Sequence, residues 1–247
     1  MINPADFFKH FPAGDSTERR GDVIASLIHG CGFDVSEIKD EESRSFIVRR
    51  GSPKHGLVFE AHYDIATCSP KHENCQDNTA SVCHLLTLLK RDDFVGTVAF
   101  CDGEERVNFH KSGAKRVAAR LLFERAVNPA LPEPFVASLE LTANGSAVWA
   151  EAQGNAIGND HPLDAVASLS CPFNNAVWFR RAGIGACCVG TVQQADLTTR
   201  FSPKSWMLCH MAADKFELAS RPDMQAFNDT LVAWAVSSEA HASTTRA

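Results

Sequence analysis

Seven side chains of types that do metal chemistry stand out by their placement: His62, Asp64, Asp77, Glu104, Glu105, Glu140 and His210. Imidazole and carboxylate are ligands that zinc takes, with tetrahedral geometry and one position open to water. A carboxylate can also bridge two ions, and a paired site clamps an attacking water while it polarises a carbonyl. A second carboxylate that stays off the metal can accept the water's proton and pass it to a leaving amine. The adjacent Glu104 and Glu105 would supply one of each. A lone histidine is more often a satisfied core residue, and paired acids more often sit in a solvated turn. His62 and the Glu104–Glu105 pair each follow a buried run, in company with the other acids. Glu140, within an apolar stretch, needs a partner for its charge, and a metal is the natural one.

The elements that must position these residues are legible from apolar runs and their punctuation. Leu57 to Ala61 (LVFEA) reads as a buried strand that runs into His62, and Gly96 to Cys101 (GTVAFC) as a second that runs into Asp102. Phe135 to Leu141 alternates like a third strand, Ser146 to Trp149 could pair beside it, and Gly185 to Val192 is a fourth. Phe46 to Val48 is a short β-rich run. Helices are expected over residues 16–32, 78–89 and 111–125, and from Pro222 to Val236. Strands alternating with helices predict an α/β class: one mixed, mostly parallel sheet covered by helices in a three-layer αβα arrangement. Residues 1–236 are expected as a single domain and 237–247 as a disordered tail. In open α/β sheets, sites form beyond the carboxyl ends of the strands, which is where the candidate ligands fall.

Six segments resemble the M28 family of metallopeptidases, which also includes the glutaminyl cyclases. They are AHYD (61–64), QDNTAS (76–81), CDGEE (101–105), SLELT (138–142), AGIGA (182–186) and CHMAAD (209–214). They occur in the family's order over most of the chain, residues 20–235. The resemblance implies a zinc-dependent exopeptidase fold and two zinc ions. His62 and Glu140 would hold one, Glu105 and His210 the other, and Asp77 would bridge them. Glu104 would be the general base, and Asp64 would orient the His62 ring. The family pattern also implies a cis peptide at Asp77–Asn78. The sequence departs from the pattern in places. Asn174, Asn175 and Ala176 stand where Ser-Asp-His is common, and Glu140 where aspartate is commoner. The single tyrosine, Tyr63, lies between His62 and Asp64 rather than where an oxyanion donor is usual, which leaves His161, an asparagine such as Asn174, or no donor beyond the metal.

Composition narrows the function classes. The net charge is −6, so the surface does not attract nucleic acid or anionic membranes, and neither is an expected partner. No apolar run spans a bilayer, and Met1 to Pro12 lacks the pattern of a signal peptide, so a cytoplasmic location is expected. The nine cysteines follow no zinc-finger spacing and most should be free thiols, though Cys68 and Cys75 flank a short loop and could form a bridge. Lys111, Lys115, Arg116 and Arg120 form a basic helix face expected to be solvated, and Arg180 and Arg181 are better candidates for a substrate carboxylate.

The leading expectation is a zinc aminopeptidase or small amidohydrolase acting on a peptide or aminoacyl-amide substrate. Cobalt or manganese could replace the zinc. A one-zinc glutaminyl cyclase-like transferase is the alternative, though Cys209 stands where such cyclases carry tryptophan. A non-catalytic metal-binding member of the fold is a third reading.

Overall fold

The computed structural model describes residues 2–40, 43–66, 71–105, 112–151, 167–169, 174–198, 209 and 211–244. Its centre is an eight-stranded mixed sheet in the order β1-β2-β4-β3-β5-β8-β6-β7. The strands are β1 Asp34–Lys39, β2 Arg44–Arg50, β3 Leu57–His62, β4 Gly96–Cys101, β5 Phe135–Leu139, β6 Ala147–Glu151, β7 Ala167–Leu169 and β8 Gly185–Val192. The four central strands β4, β3, β5 and β8 run parallel, while β1, β2 and β6 pair antiparallel to their inner neighbours. Every residue of β3 and β4 is buried, as strands covered on both faces require.

Helices cover both faces. On one side α1 Thr17–Ile28, α2 Ala80–Lys90 and α5 Arg221–Thr244 pack with the N-terminal segment against Phe59, Val98 and Leu139. On the other, α3 Gly113–Val127 and α4 Ala176–Arg181 cover Val58, Ala99 and Val136. The architecture is therefore the expected three-layer αβα. Helix α1 starts where Ser16 accepts a hydrogen bond from the Arg19 N–H, and ends short of Gly30. Helix α2 is buried along almost its whole length, because it lies between the sheet and α5.

Several elements differ from the sequence reading, among them β6, β1 and α5. Strand β6 pairs with β8 rather than beside β5. The edge of β5 is already taken, since Glu140 N donates to Val189 O and Thr191 N to Leu141 O. Strand β1, polar and half exposed, had no alternating apolar signal and was not foreseen. Helix α5 continues past Val236 to Thr244, through the start of the expected tail. Helix-favouring alanines occupy this stretch, and Glu239 accepts from the Lys54 N–H at 2.8 Å, which anchors it to the loop before β3.

Candidate metal centre

The candidate site forms where β3, β4 and β5 end together. His62 is the last residue of β3 and is 1% exposed. Its Nδ1 lies 3.2 Å from the Asp64 carbonyl oxygen and 3.5 Å from Asp64 Oδ1. Both are acceptors, so in the neutral ring Nδ1 carries the proton and Nε2 keeps its lone pair. That nitrogen faces Asp77 Oδ1 at 3.1 Å and Glu140 Oε2 at 3.5 Å. The Asp64 carboxylate also accepts from the backbone N–H groups of Glu104, at 3.1 Å, and Glu105, at 2.8 Å. One buried acid thus fixes the imidazole and the turn after β4 at once.

Asp77 is carried by a wide turn, Cys75–Thr79, that precedes α2, and the Asp77–Asn78 peptide is cis. This turn is why α2 begins at Ala80 and not at Asn78. It is tied down on both sides. Asn78 Nδ2 donates to Leu139 O at 2.7 Å, and the Gln76 N–H donates to the buried Asp214 carboxylate at 2.9 Å. Asp214 belongs to the segment that holds His210. Glu140 leaves β5 with its backbone held by Val189 O on β8.

The ligand-type atoms form two groups that share His62. His62, Asp77 and Glu140 make one; His62, Glu104 and Glu105 make the other, with the atoms of each within 4.8 Å of one another. Burial alone would lower the His62 pKa, but the carboxylates of Glu140 and Glu104, with Asp64 and Asp77, hold it well above the ordinary range. Burial pushes Glu140 up, against the pull of His62. Burial likewise raises half-buried Glu104 to about 7, with Asp77 and Glu105 adding to the effect against His62. Among the described residues, one imidazole among several carboxylates leaves the cluster short of positive charge.

A divalent cation fits this arrangement. Glu140 Oε1 is buried and meets no hydrogen-bond donor among the described residues, a costly state that a cation relieves. Zinc bound tetrahedrally at about 2.0–2.2 Å keeps its ligand atoms roughly 3.3–3.6 Å apart. The separations of 3.1 and 3.5 Å around His62 Nε2 lie close to that spacing.

Of the sequence-predicted site residues, the structure brings together His62, Asp64, Asp77, Glu104, Glu105 and Glu140. His210 and His161 lie outside the described residues, as do Lys111 and Cys68, while Cys75 is a buried free thiol. Tyr63 is turned away from the cluster: its hydroxyl donates to the Arg44 carbonyl and packs against Gly21. Arg180 is not available to a substrate carboxylate. It donates to Glu151 at 2.9 Å and to Ala186 O at 3.2 Å, beside the start of β8 and at the opposite end of the sheet. Arg181, in the same turn, lies over the Trp178 ring. The basic face of α3 makes surface pairs, Arg116 with Asp40 and Arg120 with Glu124, while Lys115 sits 4.0 Å above Trp178.

Sequence reasoning missed two buried charged groups near the site. Arg20 is 1% exposed, and its Nη2 donates to Thr79 Oγ1 at 2.6 Å, two residues after Asp77. Burial lowers its pKa to about 10, against the nearby Cys83, Asp15, Asp64 and Asp77, so it stays a cation behind the acids. Its signal was its place on the apolar stripe of α1, in register with Ile24 and Ile28. Glu60 is an acid inside the apolar run LVFEA, and that interruption was its signal.

The comparisons with known proteins agree with this architecture. No protein family model matches the sequence, and no curated protein does. Solved structures do. A zinc-dependent exopeptidase from Parabacteroides distasonis superposes with a TM-score of 0.68 at 14% identity, over 94% of this chain and 96% of that one. A glutaminyl cyclase from an Acidobacteriales bacterium gives 0.68 at 14% identity, over 97% and 94%. The LapA aminopeptidase of Legionella pneumophila gives 0.64 at 15% identity, over 95% and 70%. The chain has the fold of these enzymes. None of its described helices is long and apolar enough to cross a membrane.

Proposed function

We propose that this chain is a zinc-dependent hydrolase of peptide or amide bonds, acting as an aminopeptidase on small peptides or aminoacyl amides. The observation that carries the reading is His62 Nε2 at 3.1 Å from Asp77 and 3.5 Å from Glu140, with Glu104 and Glu105 forming a second group on the same histidine. In this reading His62, Asp77 and Glu140 would hold one zinc, and Glu105 and His210, with Asp77, would hold a second. Bound zinc supplies Lewis acidity toward the water and the scissile carbonyl. The chain's own part is acid–base work and orientation. Glu104, beside the ligands and half-buried, accepts a proton from the attacking water and delivers it to the leaving amine. Asp64 keeps the His62 ring and the Glu104–Glu105 turn in register. The likeness to a zinc-dependent exopeptidase and to aminopeptidases of the same fold supports this reading.

Bound metal per chain, measured by elemental analysis on protein purified without a metal-affinity tag, is the first test. Two zinc ions, with hydrolysis of an aminoacyl amide lost to a chelator and restored by zinc, are expected. One zinc, with ammonia released from an N-terminal glutamine peptide, would replace hydrolysis by cyclisation, the activity named for the cyclases of this fold. No metal after zinc is supplied would overturn both.

A further inference from the structure

Below the candidate metal centre lies a buried polar clasp that the proposed chemistry does not use. Glu60 is wholly buried in the middle of β3. Strand alternation puts its side chain on the same face as His62, two residues on. A carboxyl group between two core layers is costly unless donors meet it. Two do. Ser138 Oγ donates to Oε2 at 2.6 Å and Asn175 Nδ2 donates to Oε1 at 2.8 Å, with the Cys101 thiol beside them.

Each of these residues sits just behind a part of the candidate site. Ser138 pairs with Glu60 across β5 and precedes Glu140 by two residues. Cys101 ends β4, pairs with His62, and is followed by the Glu104–Glu105 turn. Asn175 is the N-cap residue of α4, on the covering layer. Two residues of strand rise about 6–7 Å, so the clasp lies one pleat repeat beneath the ligands. Apolar contacts would fill this space without fixing direction, whereas hydrogen bonds hold both distance and angle.

We propose that Glu60 is a positioning residue whose carboxylate pins β3 to β5 and to the start of α4 just under the strand ends, so that His62 and Glu140 hold metal-binding spacing before a metal arrives. The inference rests on the metal-centre reading above. Its test is the zinc affinity of metal-free protein, read by competition with a chromophoric chelator, beside the melting temperature of the same metal-free samples. Glu60→Leu should weaken zinc binding by roughly 10–100-fold, as loss of a group that orients ligands does. Glu60→Gln keeps the shape, an acceptor for Asn175 and a group able to meet Ser138, and should recover most of that affinity. Should the leucine variant fail to fold, Ser138→Ala removes a single donor and should move affinity the same way. Leu231→Ala, in the buried face of α5 and away from the clasp, should lower melting and leave zinc affinity unchanged. Unaltered zinc affinity in Glu60→Leu, or in Ser138→Ala if that is the variant that folds, would overturn the clasp. Failure of the unaltered protein to take up zinc would overturn the metal centre itself and the clasp with it.

Discussion

A carboxylate that takes a proton from water must be ionised and must stay off the metal, so Glu104 and Glu105 should respond differently to the same change. Glu104→Gln preserves size and leaves the ligands in place. We expect bound zinc to be retained and turnover to fall by about 10²–10⁴-fold, the range for loss of a positioned base. Metal analysis beside initial rates checks it, and a fully active variant would remove Glu104 from that role. Asp64 acts through its neighbours. Asp64→Asn keeps one acceptor oxygen where two now receive the Glu104 and Glu105 N–H groups. Zinc affinity should drop by roughly 10–100-fold, with little change in the melting of the metal-free protein; an unchanged chelator-competition curve would contradict it. The residues of the cluster were legible because each is a charged or imidazole side chain directly beyond a buried run. Glu60 and Arg20 were passed over because they interrupt such runs from within. Inside a strand or on a helix stripe, one polar residue among apolar ones is easily absorbed into the element's pattern.

At the scale of elements, the cluster depends on how closely β8 approaches β5. Gly190 lies where an added Cβ would come within 2.0 Å of the Glu140 carbonyl oxygen and 2.8 Å of the Trp149 indole. Those are fixed backbone and a buried ring, so neither can yield cheaply. Gly190→Ala should therefore cost about 1–3 kcal/mol or more through overpacking, and should also displace Glu140 and reduce zinc bound per chain. Denaturant unfolding with metal analysis separates the two effects; loss of stability with full zinc loading would show that Glu140 tolerates the shift. This dependence also marks what the sequence could not reveal. The runs of β3, β4, β5 and β8 were readable as strands, because apolar stretches between turns suffice. That β8 rather than β6 lies beside β5 follows from long-range pairing, for which local patterning carries no signal. Strand β1, with its polar sequence Asp34–Lys39, owes its place to its partner β2.

Across the whole molecule, burial of titratable groups links stability to pH, and His84 makes the link testable at a distance from the acids of the cluster. It is wholly enclosed on α2 between the sheet and α5. Its Nε2 lies 3.3 Å from the Thr142 carbonyl and its Nδ1 3.4 Å from Asn228 Nδ2. A carbonyl needs a donor and an amide nitrogen needs an acceptor, so these partners select the neutral ring with its proton on Nε2. Burial lowers its pKa from 6.5 to about 4, with the Thr142 carbonyl opposing. Between those values the unfolded chain binds a proton that the folded chain does not, so stability rises with pH there. The contribution is complete above pH 6.5 and is lost as the pH falls toward 4. By pH 5 the loss from this one group should be on the order of 2 kcal/mol. His84→Gln can still donate to Thr142 and accept from Asn228 but does not titrate. Urea unfolding of both proteins at pH 7 and pH 5 should show the stability gap between them shifting in favour of the variant by that amount. An equal fall in both would mean that His84 is not held neutral in the fold, and that the packing of α2 against α5 admits charge.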